Sequence, residues 1–225
     1  MNGASIVLQL GPFGISTTVF TTWALMAALT FASWAITRHL SMDPGRWQST
    51  LEGIVVAMQD AIEAILPGRS LELLPLIATL WLYLVCANLV GVIPQQSSPT
   101  AEISVTAGLA LIVFFASHWF GIRSDGWSGY LRHYLSPNIL LLPFNLISEL
   151  TRTLALAVRL FGNMMSLQLA ALLVLLVAGL LVPVPLLLLH VVEALVQAYI
   201  FGVLALVYIA GGIESQPRPN GVTPS

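Results

Sequence analysis

Two arginines, Arg152 and Arg159, stand in the run SELTRTLALAVRLFGNMMSLQ, where nearly every neighbour is apolar. A guanidinium keeps its proton at any workable pH, and placing one in hydrocarbon costs about 3 kcal/mol or more. A charge held at that cost reads by default as functional. Farther along, His190, Glu193 and Gln197 recur at i, i+3 and i+7 in HVVEALVQAYIF, which puts them on one helix face. At about 100° per residue, Arg152 falls about 20° and Asn163 about 40° from Arg159, with Ser166 extending the stripe. Gln168 points to the opposite side, and Tyr208 continues the line of His190. Two helices joined by the turn Pro183-Val184-Pro185 would then each carry a polar stripe through leucine-rich surroundings, as a path for an ion through a membrane requires.

Plainer readings stand beside this one. His190 alone reads as a satisfied interhelical histidine and Gln197 alone as interhelical glue. Arg159 has two open readings. If the span covers only 160–182, the arginine snorkels to water at its end, with Glu149 and Arg152 already outside. If 138–182 is one helix, its 45 residues extend close to 65 Å, about twice the hydrocarbon thickness. The helix must then tilt, which brings Arg159 to mid-membrane. His39, His118 and His133 are scattered near span ends, and no Cys/His spacing suggests a metal. No phosphate-binding G-x-x-x-x-G-K-[ST] run is present, no cofactor is implied, and Cys86 sits alone in an apolar run.

Composition says what must position these residues. Of 225 residues, 57% are hydrophobic and 8% charged, with eight arginines and no lysine. A soluble domain carries about 25% charge, so a soluble enzyme, a disordered chain and a basic nucleic-acid binder are excluded, and lipid is the expected surround. The apolar runs are long and do not alternate, which selects helices over a barrel. The expected fold is all-α and polytopic: one membrane domain over 1–213, with spans at about 16–37, 73–94, 101–122, 138–182 and 184–213. Residues 46–66 read as an amphipathic helix, with Trp47, Leu51, Ile54, Val55, Met58, Ile62 and Ile65 opposite Glu52, Gln59, Asp60 and Glu63. It would lie on the membrane interface or pack on a soluble partner. The Pro-, Gly- and Ser-rich tail after Glu214 reads as disordered. Arg38, Arg46, Arg69, Arg123, Arg132 and Arg218 all fall on one side of these spans, which places the N-terminus outside and the C-terminus in the cytoplasm. No basic residue precedes Arg38, so no cleavable leader is expected. No internal repeat of a transporter is visible.

The stretch ELTRTLALAVRLFGNM resembles the signature of the a subunit of F-type ATP synthases, the membrane stator facing the c-ring. Glu149, Arg152 and Arg159-Leu160-Phe161-Gly162-Asn163 match its pattern, and His190 and Gln197 match the histidine and glutamine of its last helix. NLVGVIP (Asn88 to Pro94) and PTAEISVT (Pro99 to Thr106) are weaker matches. Two departures stand out: Gln168 replaces a side chain that is often acidic or histidine, and Thr153 replaces a frequent proline. Both suggest a divergent branch.

The resemblance implies two aqueous half-channels that do not meet, each opening on a c-ring carboxylate, with Arg159 between them. It implies long, tilted last helices against the c-ring, a peripheral-stalk b subunit as a further partner, and location in the bacterial plasma (inner) membrane. Nucleotide chemistry would belong to other subunits. Asn163, His190, Glu193 and Gln197 are expected in the outer half-channel, with Glu193 able to supply the carboxylate missing at Gln168. Glu149 and Arg152 are expected nearer the cytoplasmic exit. Gln197 is also expected to hydrogen-bond Arg159. The proton is the expected ion, with sodium as the alternative. A secondary transporter using Arg159 for an anionic substrate, or a structural scaffold, are the readings from other classes.

Overall fold

Without water to solvate them, backbone amides and carbonyls must pair within the chain, and helices do this segment by segment. The computed structural model describes residues 6–10, 13–38, 45–93, 98–135, 142–178 and 183–214. A short antiparallel hairpin, β1 (Ile6–Leu10) and β2 (Phe13–Ser16), precedes the helices. Then come α1 (Thr17–Thr37), α2 (Arg46–Ile65), α3 (Ser70–Val90), a 3₁₀ turn at Pro99–Ala101, α4 (Ile103–Leu135), α5 (Leu142–Ala178) and α6 (Pro183–Glu214). Five of these helices are long and apolar enough to cross a membrane, in segments Thr17–Thr37, Ser70–Val90, Ile103–Ser124, Pro143–Val174 and Leu187–Ile213. The polytopic helical architecture expected from composition is therefore present. The second expected span begins at Ser70 instead of residue 73, with Glu72 in its first turn. The ends of the expected fourth span, 138–141 and 179–182, and the tail 215–225 lie outside the described residues.

α3, α4, α5 and α6 share one core, built from Leu73, Ile77, Leu84 and Ala87, Ala110 and Val113, Leu156 and Leu160, and Ala198, Phe201, Ala205 and Ile209. Alanines at these seams let the backbones approach, which is how helices bind each other when hydrophobic burial supplies no preference over lipid. α1 buries no residue and leans on α3 from outside. α4 turns at Gly126, whose φ of 73° only glycine adopts without strain.

α2 resolves into two halves. Ile62 is fully buried against the core and Met58 and Ile65 partly so, whereas Trp47, Leu51, Ile54 and Val55 stay exposed. The amphipathic face thus serves the chain's own core at its C-terminal end. At the following turn, Gly68 N–H donates to Glu63 Oε1 at 2.6 Å. The Ser70 hydroxyl and that amide hold the Glu63 carboxyl below its usual range. A depressed carboxyl stabilises the fold above its unfolded value, and the contribution is lost as pH falls through the folded one. The Gly68 amide should therefore be protected from hydrogen exchange at neutral pH and lose protection on acidification below the carboxylate range, while Glu63→Gln should weaken it at every pH.

α3 and α6 are keyed together by an indole. Trp81 stacks on Tyr199 (centroids 6.0 Å apart, planes 11° apart) and its Nε1–H donates to the Tyr199 carbonyl at 3.3 Å. A Cβ on Gly202 would overlap that ring. Gly202→Ala should destabilise the chain by about 1–3 kcal/mol, the usual cost of overpacking; a thermal-unfolding midpoint in detergent equal to the parent's would refute this.

Candidate functional site

α5 is one unbroken helix of 37 residues with Arg159 near its middle. The reading in which Arg159 snorkels from a helix end has no helix end to use. Arg152, Arg159 and Ser166 are exposed and Asn163 is half-buried, so the polar stripe lies on a face that the chain's own helices leave uncovered. Beside that stripe the helix surface is apolar and also uncovered, with Val158 and Leu169 exposed about a quarter-turn round from Arg159 and Leu154 and Met165 exposed farther round. The guanidinium is thus offered outward from the chain.

The interhelical hydrogen bond at this level is not the one expected. Gln197 Oε1 accepts from Asn163 Nδ2 at 2.6 Å, tying α6 to α5 one turn beyond Arg159. Among the described residues, Arg159 itself has no hydrogen bond or ion pair. Asn163 is the right length to reach the neighbouring helix, and pairing there leaves the arginine's five donors unspent.

On one side of this tie, toward the α5–α6 connection, a buried polar group joins α3, the 3₁₀ turn and α6. Asn88 Nδ2 donates to the Ala194 carbonyl at 3.2 Å, and Thr100 Oγ1 donates to Asn88 Oδ1 at 2.6 Å. The Ser98 hydroxyl donates to the Ala87 carbonyl at 2.8 Å and lies 2.6 Å from that of Thr100. His190 is 3% exposed, and a Cβ on Gly91 would lie 3.3 Å from its Nε2. That nitrogen, together with Glu102 Oε2 and Gln168 Nε2, is buried with no protein partner. An orphaned buried polar group costs about 1–3 kcal/mol, so three of them mark a region that water or an ion is suited to occupy. Glu193 is half-buried on α6. Asn88, Ser98, Thr100 and Glu102 were missed as site residues by sequence reasoning. Their signal was present only as the two weaker matches, NLVGVIP and PTAEISVT.

On the other side of the tie, Glu149 stands 3.6 Å from His118 Nδ1 and 3.4 Å from Ser117 Oγ, joining α5 to α4. Beyond it, Arg123 Nε pairs with Glu72 at 3.5 Å, and Arg69 donates to Ser124 Oγ at 2.8 Å. Arg152 lies exposed, one turn from Glu149. The expected residues therefore fall into three groups along α5 and α6: Arg159 with the Asn163–Gln197 tie, His190 with Glu193 and Gln168 to one side, and Glu149 with Arg152 to the other. Fully buried and bonded at both ends, Asn88 organises the second of these. Asn88→Ala should leave Thr100 and the Ala194 carbonyl without their partner; a fall in thermal stability well beyond that of Leu82→Ala, at an exposed position of the same helix, is the expected result.

A family profile described as ATP synthase A chain matches residues 19–210. The chain is 59% identical over 209 residues to "ATP synthase subunit a 2" of Pelobacter propionicus, covering 93% of this chain and 92% of the relative. It is 58% identical over 218 residues to "ATP synthase subunit a 1" of Hahella chejuensis, covering 97% and 92%. It is 53% identical over 213 residues to "ATP synthase subunit a" of Legionella pneumophila, covering 94% and 93%.

Proposed function

This chain belongs to the ATP synthase A chain family, and we propose that, as a stator subunit of an F-type ATP synthase, it conducts protons along two half-channels separated by Arg159. One observation carries the reading: a non-titrating charge sits midway along a continuous helix, on an uncovered apolar face, between two separate polar groups. The uncovered face is where a c-ring would pass. A rotor carboxylate brought there meets a guanidinium with uncommitted donors, which favours its ionised form and drives off its proton. The same charge opposes any cation crossing directly from one polar group to the other. Lysine would serve less well, because its pKa falls on burial.

The orphaned atoms of His190, Glu102 and Gln168, beside Asn88 and Thr100, form the outer half-channel on this reading, with Glu193 and Gln197 continuing it inward. Glu149 and Arg152 line the cytoplasmic one. The arginines Arg69 and Arg123 set the latter end toward the cytoplasm, with the N-terminus outside, in a bacterial inner membrane. A peripheral-stalk b subunit would hold the chain against the rotor. Gln168 cannot ionise, so a proton on the outer side is passed between His190 and either Glu102 or Glu193.

In inverted vesicles carrying the assembled complex, Arg159→Ala should abolish ATP-driven proton uptake and raise passive proton leak. A variant that pumps at the parental rate overturns the role of the arginine. Hydrolysis by the parental complex that requires sodium, with no proton uptake in its presence, would replace the proton by sodium.

A further inference from the structure

His118 belongs to no motif singled out in the sequence, yet it has the surroundings of a group that takes up and returns a proton. Its Nδ1 lies 2.8 Å from the Phe114 carbonyl, one turn back on α4. A carbonyl only accepts, so in the neutral ring that nitrogen carries the hydrogen and Nε2 carries the lone pair. The Phe114 ring lies 4.2 Å from the imidazole, centroid to centroid. The Glu149 carboxylate stands 3.6 Å from Nδ1. A positive charge formed on this ring would meet an anion and an aromatic face already in place. The His118 and Glu149 side chains are 24% and 21% exposed, whereas His190 is 3% exposed. Of the elements packed here, α5 presents Glu149, and α6 presents Gly212, whose Cβ position lies 3.0 Å from the Ser117 carbonyl. Arg123 on α4 is engaged by Glu72, and Arg152 on α5 is exposed. Glu149 precedes Arg159 by ten residues, about 15 Å along the helix.

We infer that His118 is a proton-relay residue of the cytoplasmic half-channel, with Glu149 as its counter-ion. A proton delivered through water from the rotor side adds to the Nε2 lone pair and makes the imidazolium. Loss of that proton from the same nitrogen to the cytoplasmic water restores the neutral ring. Only the Nε2–H bond forms and breaks, and Nδ1–H stays on the Phe114 carbonyl. The same steps run in reverse when ATP hydrolysis drives uptake. The inference rests on the proton-path reading above.

The test uses the assembled complex in inverted vesicles, with His118→Gln, His118→Arg and Arg159→Ala measured side by side. His118→Gln keeps a donor for the Phe114 carbonyl but cannot titrate; it should assemble normally and pump about tenfold more slowly or worse. Its rate should also change less with pH than the parental rate. His118→Arg restores a cation beside Glu149, as a mere fastening would need, and should not restore pumping. Parental rate and pH profile in either variant overturn the inference. Failure of both to assemble also overturns it, because the pair would then be a fastening between α4 and α5. If Arg159→Ala itself still pumps, the underlying reading fails; if it is silent while His118→Gln pumps normally, only the relay falls.

Discussion

A guanidinium that cannot lose its proton, set halfway along an apolar helix, is the constraint to which the rest of this structure answers. Lipid would not solvate Arg159, and among the described residues no side chain pairs with it. The charge is tolerable only on a face that meets something polar or ionised. The length of α5 supplies the position, and the face left open between Leu154 and Leu169 supplies the direction. The Asn163–Gln197 bond fixes α6 beside it without drawing on the arginine's donors.

The remaining polar side chains obey a related rule. Hydrophobic burial does not choose one helix pairing over another inside a bilayer, so the choice falls to close packing and to hydrogen bonds. Both appear at the same seam. Alanines on α3, α4 and α6 bring the backbones together, Trp81 fills the space that Gly202 leaves, and Asn88 reaches across to the Ala194 carbonyl. Three of the four buried polar atoms without a hydrogen bond among the described residues, on His190, Glu102 and Gln168 (the fourth is the Tyr83 hydroxyl), lie on one side of the Asn163–Gln197 tie, while the Glu149–His118 pair lies on the other. Two polar regions interrupted by a fixed charge differ physically from a continuous pore. In a pore an ion passes straight through; on the proposed reading it would need a moving carrier at the arginine.

Much of this was legible beforehand because the signals were local. The five spans follow from uninterrupted apolar runs, since every backbone group in such a run must pair within its own helix. The stripes on α5 and α6 follow from helical phase, and Gln168 does lie away from the exposed arginine face, as phase required. The partner of Gln197 was not legible. Asn163 and Arg159 are one turn apart on α5, and only the relative height and rotation of α6 decides which of them it meets. The double use of α2 was hidden for the same reason. Its apolar face reads identically along its length, yet only Ile62 and its neighbours reach the core.

By itself, then, the sequence determined a helical membrane protein, the arginine on a polar stripe of α5, and the family to which its motif belongs. These rest on composition, period and spacing, which act within one helix. The tertiary structure alone decided which stripes face each other. It set Asn163 against Gln197, gathered Asn88, Ser98 and Thr100 around the approach to His190, and brought together His118 and Glu149, which stand 31 positions apart in the chain. Contacts between helices depend on rotation and offset set by the whole packed seam, and no single segment carries that information.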